Sequence, residues 1–269
     1  MNNTLIIAKK EFLDMISSKL VIIIVLFYMI TFFLSFLTIL SMSESPSLAI
    51  NPIELTLINF KQSSCYYGVL LGLVLGFGAF YSEVHDKAIN TLLLKPVYRD
   101  TIINGKIIGT LGFLLLLLSF ASILNSAIII IFFGSNAIPF ISSFINSIPL
   151  WLFISTLCIL LGYSLSILLY IIFKTPLFSL FLGFLFWIFF FYLMGNLWIA
   201  GYIGYFFNDD SICQTVCELA PYTIIGNIMT NRTIQDTITY SGFELVKLFL
   251  YSFIILFISY TIFLRSDIS

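Results

Sequence analysis

"YSEVHDKAINTLLLKPVYRDTIINGK" (residues 81–106) carries seven charged side chains, Glu83, Asp86, Lys87, Lys95, Arg99, Asp100 and Lys106, together with His85, the one histidine of the chain. Elsewhere charge is scarce. Of 269 residues, 9% are charged and 60% are hydrophobic, with a net charge of −1 and a mean hydropathy of +1.10. A soluble domain is about half apolar and about a quarter charged. The stretch is therefore a polar island between apolar runs, and those runs decide the fold.

Working outward, Ser63–Tyr81 precedes the island and Ile107–Phe133 follows it. Each is close to or above the roughly 20 apolar residues that a helix needs to cross the hydrocarbon of a bilayer. Leu20–Leu40, Ile148–Phe173, Pro176–Trp198 and Leu245–Leu264 are of the same kind. Apart from Lys247, none of the six runs contains Asp, Glu, Lys, Arg or His. The expected fold is all-α: a single polytopic membrane domain over residues 1–269 with six transmembrane helices.

Lysine and arginine set the orientation of such a protein. With six spans both termini share one side. That side holds Lys9, Lys10, Lys19, Lys87, Lys95, Arg99, Lys106, Lys174 and Arg265, against Lys61, Arg232 and Lys247 on the other. The bias places both termini and residues 82–106 in the cytoplasm, in a cell (plasma) membrane. The first apolar run, with 21 residues, is longer than a signal-peptide core. Ahead of it, Leu5, Ala8, Phe12, Ile16 and Leu20 recur at helical spacing, so residues 1–19 read as an amphipathic helix on the inner membrane face. Residues 199–242 mix Gly201, Gly204, Cys213, Cys217 and Pro221 with aromatics, which reads as an extracellular, re-entrant segment in the outer leaflet. Cys213 and Cys217 sit one helical turn apart there, a marginal spacing for a disulfide.

Within the island, Ile89, Leu92 and Leu93 make a short apolar stripe with Lys87 and Lys95 largely off it. Pro96 ends that helix, and Asp100 is placed to cap the next one. From the residues alone two readings stand. One is a solvated loop whose cations fix topology. The other is a rigid knob whose apolar ridge and charged rim suit docking of a soluble partner. On the second span, Gly68, Gly72 and Gly76 recur every four residues, the spacing of close helix packing within a subunit or at a dimer seam. Thirty phenylalanines, with "WIFFFY" at 187–192, suit lipid-facing packing or the lining of an apolar path.

Other chemistry finds little support. There is no Gly-rich phosphate loop ending in Lys-Ser or Lys-Thr and no metal-type Cys/His cluster. Four scattered cysteines make no disulfide framework. No catalytic, metal or cofactor site is expected, and no nucleic-acid partner. An embedded enzyme would need acid-base or metal groups gathered at one site, and an ion-coupled carrier a charge within the membrane. A passive membrane anchor for a cytoplasmic ATPase stays open.

The order of features resembles the permeases of type-2 ABC exporters, including those of multi-copper enzyme maturation. Glu83 after the second span, Leu92 and Leu93, Pro96-Val97, Arg99, and Gly105-Lys106 entering the third span stand at the positions of that family's pattern. "KKEFLDMISSK" (9–19) is similar to its N-terminal elbow helix. The Gly-Thr usual near Lys87 and Ala88 is missing. The resemblance implies that the loop is a coupling helix seated in a separate cytoplasmic ABC ATPase. Glu83, Lys87, Ile89, Leu92, Leu93, Pro96, Arg99 and Lys106 would be its working residues. It also implies a second permease subunit, identical or not, and ATP with magnesium bound by the partner ATPase. Relatives of this kind move lipids, drugs, peptides or polysaccharides.

Overall fold

The computed structural model describes residues 3–43, 51–85, 99–193, 201–202, 205, 210–231 and 233–265. These are almost entirely helical, with no strand among the described residues. Apolar chain in lipid has no water to satisfy its peptide groups, and a helix satisfies them within the segment. The helices are α1 (Asn3–Ser17), α2 (Lys19–Ser43), α3 (Pro52–His85), α4 (Arg99–Phe133), α5 (Ile138–Phe173), α6 (Pro176–Trp187), α7 (Asp210–Leu219), α8 (Pro221–Met229) and α9 (Ile234–Arg265). A short 3₁₀ turn, Gly134–Ala137, joins α4 to α5, and a π-helical stretch, Ile188–Leu193, prolongs α6.

Among the described residues two stretches, Thr101–Phe173 and Ile234–Phe263, are long and apolar enough to cross a membrane. The pair Asn3–Ser17 and Val21–Thr31, bent by 64°, adds a third if taken as one span. The first stretch folds back on itself. Gly134 adopts φ +59 at the reversal, a conformation open to glycine at little cost. At the other end of α5, Lys174 is left-handed and donates its N–H to Tyr170 O at 2.9 Å. Pro176 then opens α6, where a missing N–H costs nothing.

Side-chain pairs give the helix directions. Phe60 packs on Phe144, Trp151 Nε1 donates to Ser64 Oγ at 2.8 Å, and Gly76 lies on Tyr163 and Ser166, so α3 and α5 run parallel. Ser252 donates to Leu157 O and Ser259 to Ser164 O, so α9 is parallel to both. Against them, Gly183 lies on Leu73 and Trp187 Nε1 donates to Tyr66 O, so α6 runs antiparallel to α3. The same holds for α4, whose start lies beside the end of α3.

The core is the α3–α5 seam. A Cβ built on Gly72 would stand 2.0 Å from Ile159 O, and one on Gly162 would stand 2.1 Å from Val69 O. These backbones touch because glycine faces backbone from both sides. The stripe Gly68, Gly72 and Gly76 thus packs inside the subunit, against Ile159, Tyr163 and Ser166. Beside it, Tyr28 donates to Ser64 O at 3.0 Å, and Ser64 Oγ lies 3.3 Å from Ser155 Oγ, linking α2, α3 and α5. The outward faces are rich in exposed Leu, Ile and Phe, among them Ile23, Ile131 and Phe257.

Several boundaries differ from the apolar runs. Helices α3, α5 and α9 begin at Pro52, Ile138 and Ile234, well before the runs at Ser63, Ile148 and Leu245. Polar residues extend the helices past the purely apolar part. Helix α9 therefore takes in the last part of the 199–242 segment, bending at Ser241 (φ −126, ψ 23). Helix α4 starts at Arg99, so Asp100 belongs to its first turn and is not its cap. Helix α8 buries Ile224, Ile225, Ile228 and Met229 in the bundle. Cys213 and Cys217 both lie in α7.

Candidate functional site

The charged loop is flanked by α3, which ends at His85, and α4, which starts at Arg99. Lys87, Ile89, Leu92, Leu93 and Pro96, with Val97, lie outside the described residues. Glu83 falls in the last turn of α3 and Arg99 opens α4. The geometry that can be read is the base on which the loop stands.

At that base Lys106 is buried, with 1% of its surface exposed. Its Nζ donates to Glu11 Oε2 at 3.0 Å and to Ala79 O at 2.8 Å. One ammonium thus ties α1, α3 and α4 together, and Ala79 is one turn before Glu83. Glu11 is buried too, at 7% exposure. Taking either charge out of water alone would cost several kcal/mol, and close pairing with further hydrogen bonds offsets that cost. Removing one partner leaves the other buried and uncompensated.

Two glycines bring Glu11 within reach. A Cβ on Gly105 would stand 2.8 Å from Ile7 Cβ, and one on Gly109 would stand 2.6 Å from Ala8 O. Spaced by one turn, they let α1 lie directly on α4. The face of α1 turned to the bundle is Ala8, Glu11 and Met15. Of the stripe expected from spacing, Ala8 is buried and Phe12 half-buried, whereas Leu5 and Ile16 are 55% and 45% exposed. Helix α1 thus has two faces, one apolar and outward, the other inward with a carboxylate at its centre. Glu11 was missed from sequence because its partner is 95 positions away. The local signal was Gly105-Lys106 with Gly109 one turn on.

The base links helices. Among the described residues no group of three or more His, Cys, Asp or Glu could hold a metal ion. Higher in the bundle, the aromatic run contributes Trp187, Phe190 and Phe191 to a cavity of about 430 Å³ shared with Leu161, Pro221 and Tyr251. Among the described residues no charged side chain lines it. Tyr66, stacked on Tyr222 at 4.8 Å, donates to Tyr222 O and fixes α8 against α3 next to this cavity.

Residues 5–268 match the family model described as ABC-2 family transporter protein. No curated protein matches the sequence.

Proposed function

The chain belongs to the ABC-2 transporter family, and from that premise we propose that it is the permease half of an ATP-driven exporter, coupled through residues 82–106 to a separate cytoplasmic ABC ATPase. In this reading α2, α3, α4, α5, α6 with its π-helical extension, and α9 cross the membrane six times, with both termini cytoplasmic. Helices α7 and α8 form the re-entrant part of the outer segment. Two permeases and two ATPases make the transporter, and ATP and magnesium belong to the ATPases. The chain supplies no catalytic residue of its own.

The observation that carries the reading is the Lys106 junction. A partner pushing on the loop pushes on α3 and α4 at once, because both helix ends and the elbow meet at one ammonium. The tight glycine seam passes that displacement from α3 to α5 as a rigid unit, since close-packed interiors transmit strain. Ile89, Leu92 and Leu93 supply the apolar ridge that enters the ATPase groove, Lys87 and Pro96 shape it, and Glu83 and Arg99 orient it. The cavity, aromatic-lined and apolar among the described residues, suits an apolar or amphipathic cargo.

Pull-down of the ATPase with a tagged permease carrying Leu92→Asp and Leu93→Asp tests this. The expected result is loss of the ATPase with membrane insertion unchanged. A complex recovered at full occupancy removes the docking role from the loop.

A further inference from the structure

The lysines of the chain meet different surroundings. Lys106 is buried against Glu11. Lys61, at the other end of α3, is 7% exposed, and its Nζ donates to Asn231 O at 3.1 Å. Asn231 lies on the linker that follows α8, and its Nδ2 donates to Ser241 Oγ at the kink of α9, at 2.9 Å. Lys9 and Lys10 of α1, and Lys19 at the start of α2, are instead exposed. None of these three makes an ion pair among the described residues.

Folding changes the charge that this end of the chain shows. In sequence, residues 9–19 set Lys9, Lys10 and Lys19 against Glu11 and Asp14. In the structure Glu11 turns inward, and its carboxylate is spent on Lys106. The outward surface of the segment keeps three lysines against Asp14 alone. At 3.6 residues per turn, Leu5, Ile16, Lys9, Leu13 and Ile6 follow one another around the outward arc of α1, and Asp14 falls beyond it. Leu5, Ile6, Leu13 and Ile16 are all exposed.

A lysine set among exposed Leu and Ile lays its stem on the apolar surface and carries its ammonium to the nearest polar layer. At a bilayer that layer is the phosphates of the headgroups. A zwitterionic headgroup balances its phosphate with its own cation, whereas an anionic one leaves it for the lysines. The apolar surface also continues past Lys19 onto α2, where Ile22, Ile23, Leu26 and Phe27 are exposed. What covers α1 is therefore continuous with what surrounds α2. An acidic protein surface would answer the lysines and leave that apolar surface uncovered.

We propose that the outward face of α1, together with Lys19, is a docking surface for anionic phospholipid. Lys9, Lys10 and Lys19 take the headgroups, and Leu5, Ile6, Leu13 and Ile16 enter the acyl boundary. Because the opposite face of α1 holds Lys106 through Glu11, an anionic leaflet also steadies the base of the charged loop. That leaflet is the cytoplasmic one under the orientation proposed above, whereas the choice of lipid does not rest on it.

Native mass spectrometry on the purified, delipidated full-length chain tests this, with phosphatidylglycerol or phosphatidylcholine added, and needs neither the ATPase nor a membrane orientation. The wild type is expected to retain phosphatidylglycerol better. Each lysine near an anionic surface is worth about fivefold in binding, so the triple variant Lys9→Gln, Lys10→Gln, Lys19→Gln should lose most of the preference. Asp14→Asn, which keeps every lysine and removes the acid, should raise it. All four changes fall on exposed side chains, and an unchanged midpoint of thermal unfolding shows that the fold is kept. Equal retention of the two lipids by the wild type overturns the proposal, as does an undiminished preference in the triple variant. A triple variant that keeps the lipid preference and loses the ATPase in pull-down gives the lysines to the ATPase and overturns it too.

Discussion

Lys106 and Lys61 are both buried, at opposite ends of α3, and they are treated differently. Lys106 meets a carboxylate at 3.0 Å and a carbonyl at 2.8 Å on two other helices. Lys61 meets one carbonyl at 3.1 Å and faces a cavity. A buried charge paired within the fold acts as a pin. One bonded to a carbonyl, on which a nearby carboxylate acts less strongly than burial does, keeps part of its desolvation cost. The loop end therefore reads as a mechanical junction and the far end as a buried cation whose burial outweighs the charge of the nearby Glu54.

The largest effect is expected from breaking the pin. Glu11→Ala takes the carboxylate away from the buried Lys106 and should cost about 3–5 kcal/mol of stability. The midpoint of thermal unfolding of the purified chain measures it. Replacing both partners, Glu11→Leu with Lys106→Leu, should recover most of that loss, because an apolar pair of similar volume is often neutral. If Glu11→Ala unfolds like the wild type, the junction is not a pin and the contrast with Lys61 disappears.

The contrast also bears on what the sequence could say. The long apolar runs and the glycine stripe were plain, because span length and four-residue spacing are local properties. Which helix the glycines face was not, since Gly72 meets Ile159 across 87 positions of chain. A separation of 95 positions hid Glu11 from Lys106 in the same way. The elbow's apolar stripe was visible, yet it marks the outward face at Leu5 and Ile16, while the inward face carries the carboxylate. Lys61 was legible only as a topology-setting cation. Its burial depends on the kink at Ser241 and on the linker that follows α8, neither of which has a sequence period. The helix starts at Pro52, Ile138 and Ile234 escaped because hydropathy stops where polar residues begin, although the hydrogen-bonded ladder continues.

A smaller effect concerns Lys61 and pH. Burial lowers Lys61 from its ordinary 10.5 to about 8, with the Glu54 charge opposing the shift. Facing it are Glu54 on its own helix and, across the cavity, neutral Ser, Thr and Asn side chains among the described residues. Below about pH 8 the lysine is charged in both folded and unfolded chains, and the folded chain bears the burial cost. Between about 8 and 10.5 the unfolded chain holds a proton that the folded chain has released, so stability rises with pH there. Lys61→Met should accordingly be more stable than the wild type near pH 7, and its advantage should shrink as pH rises through that window. Parallel unfolding curves from pH 7 to 10 would remove the burial cost from the comparison.

The coupling role depends on the two ends of α3 facing opposite compartments. In a background lacking the four native cysteines, a single Tyr98→Cys or Asp210→Cys chain is exposed in intact cells to a thiol reagent that does not cross membranes. Position 98 is expected to stay unlabelled until the cells are lysed, and position 210 to react at once. Labelling of position 98 in intact cells, with position 210 protected, would place the charged loop beyond the reach of any cytoplasmic ATPase and contradict the permease assignment of residues 82–106.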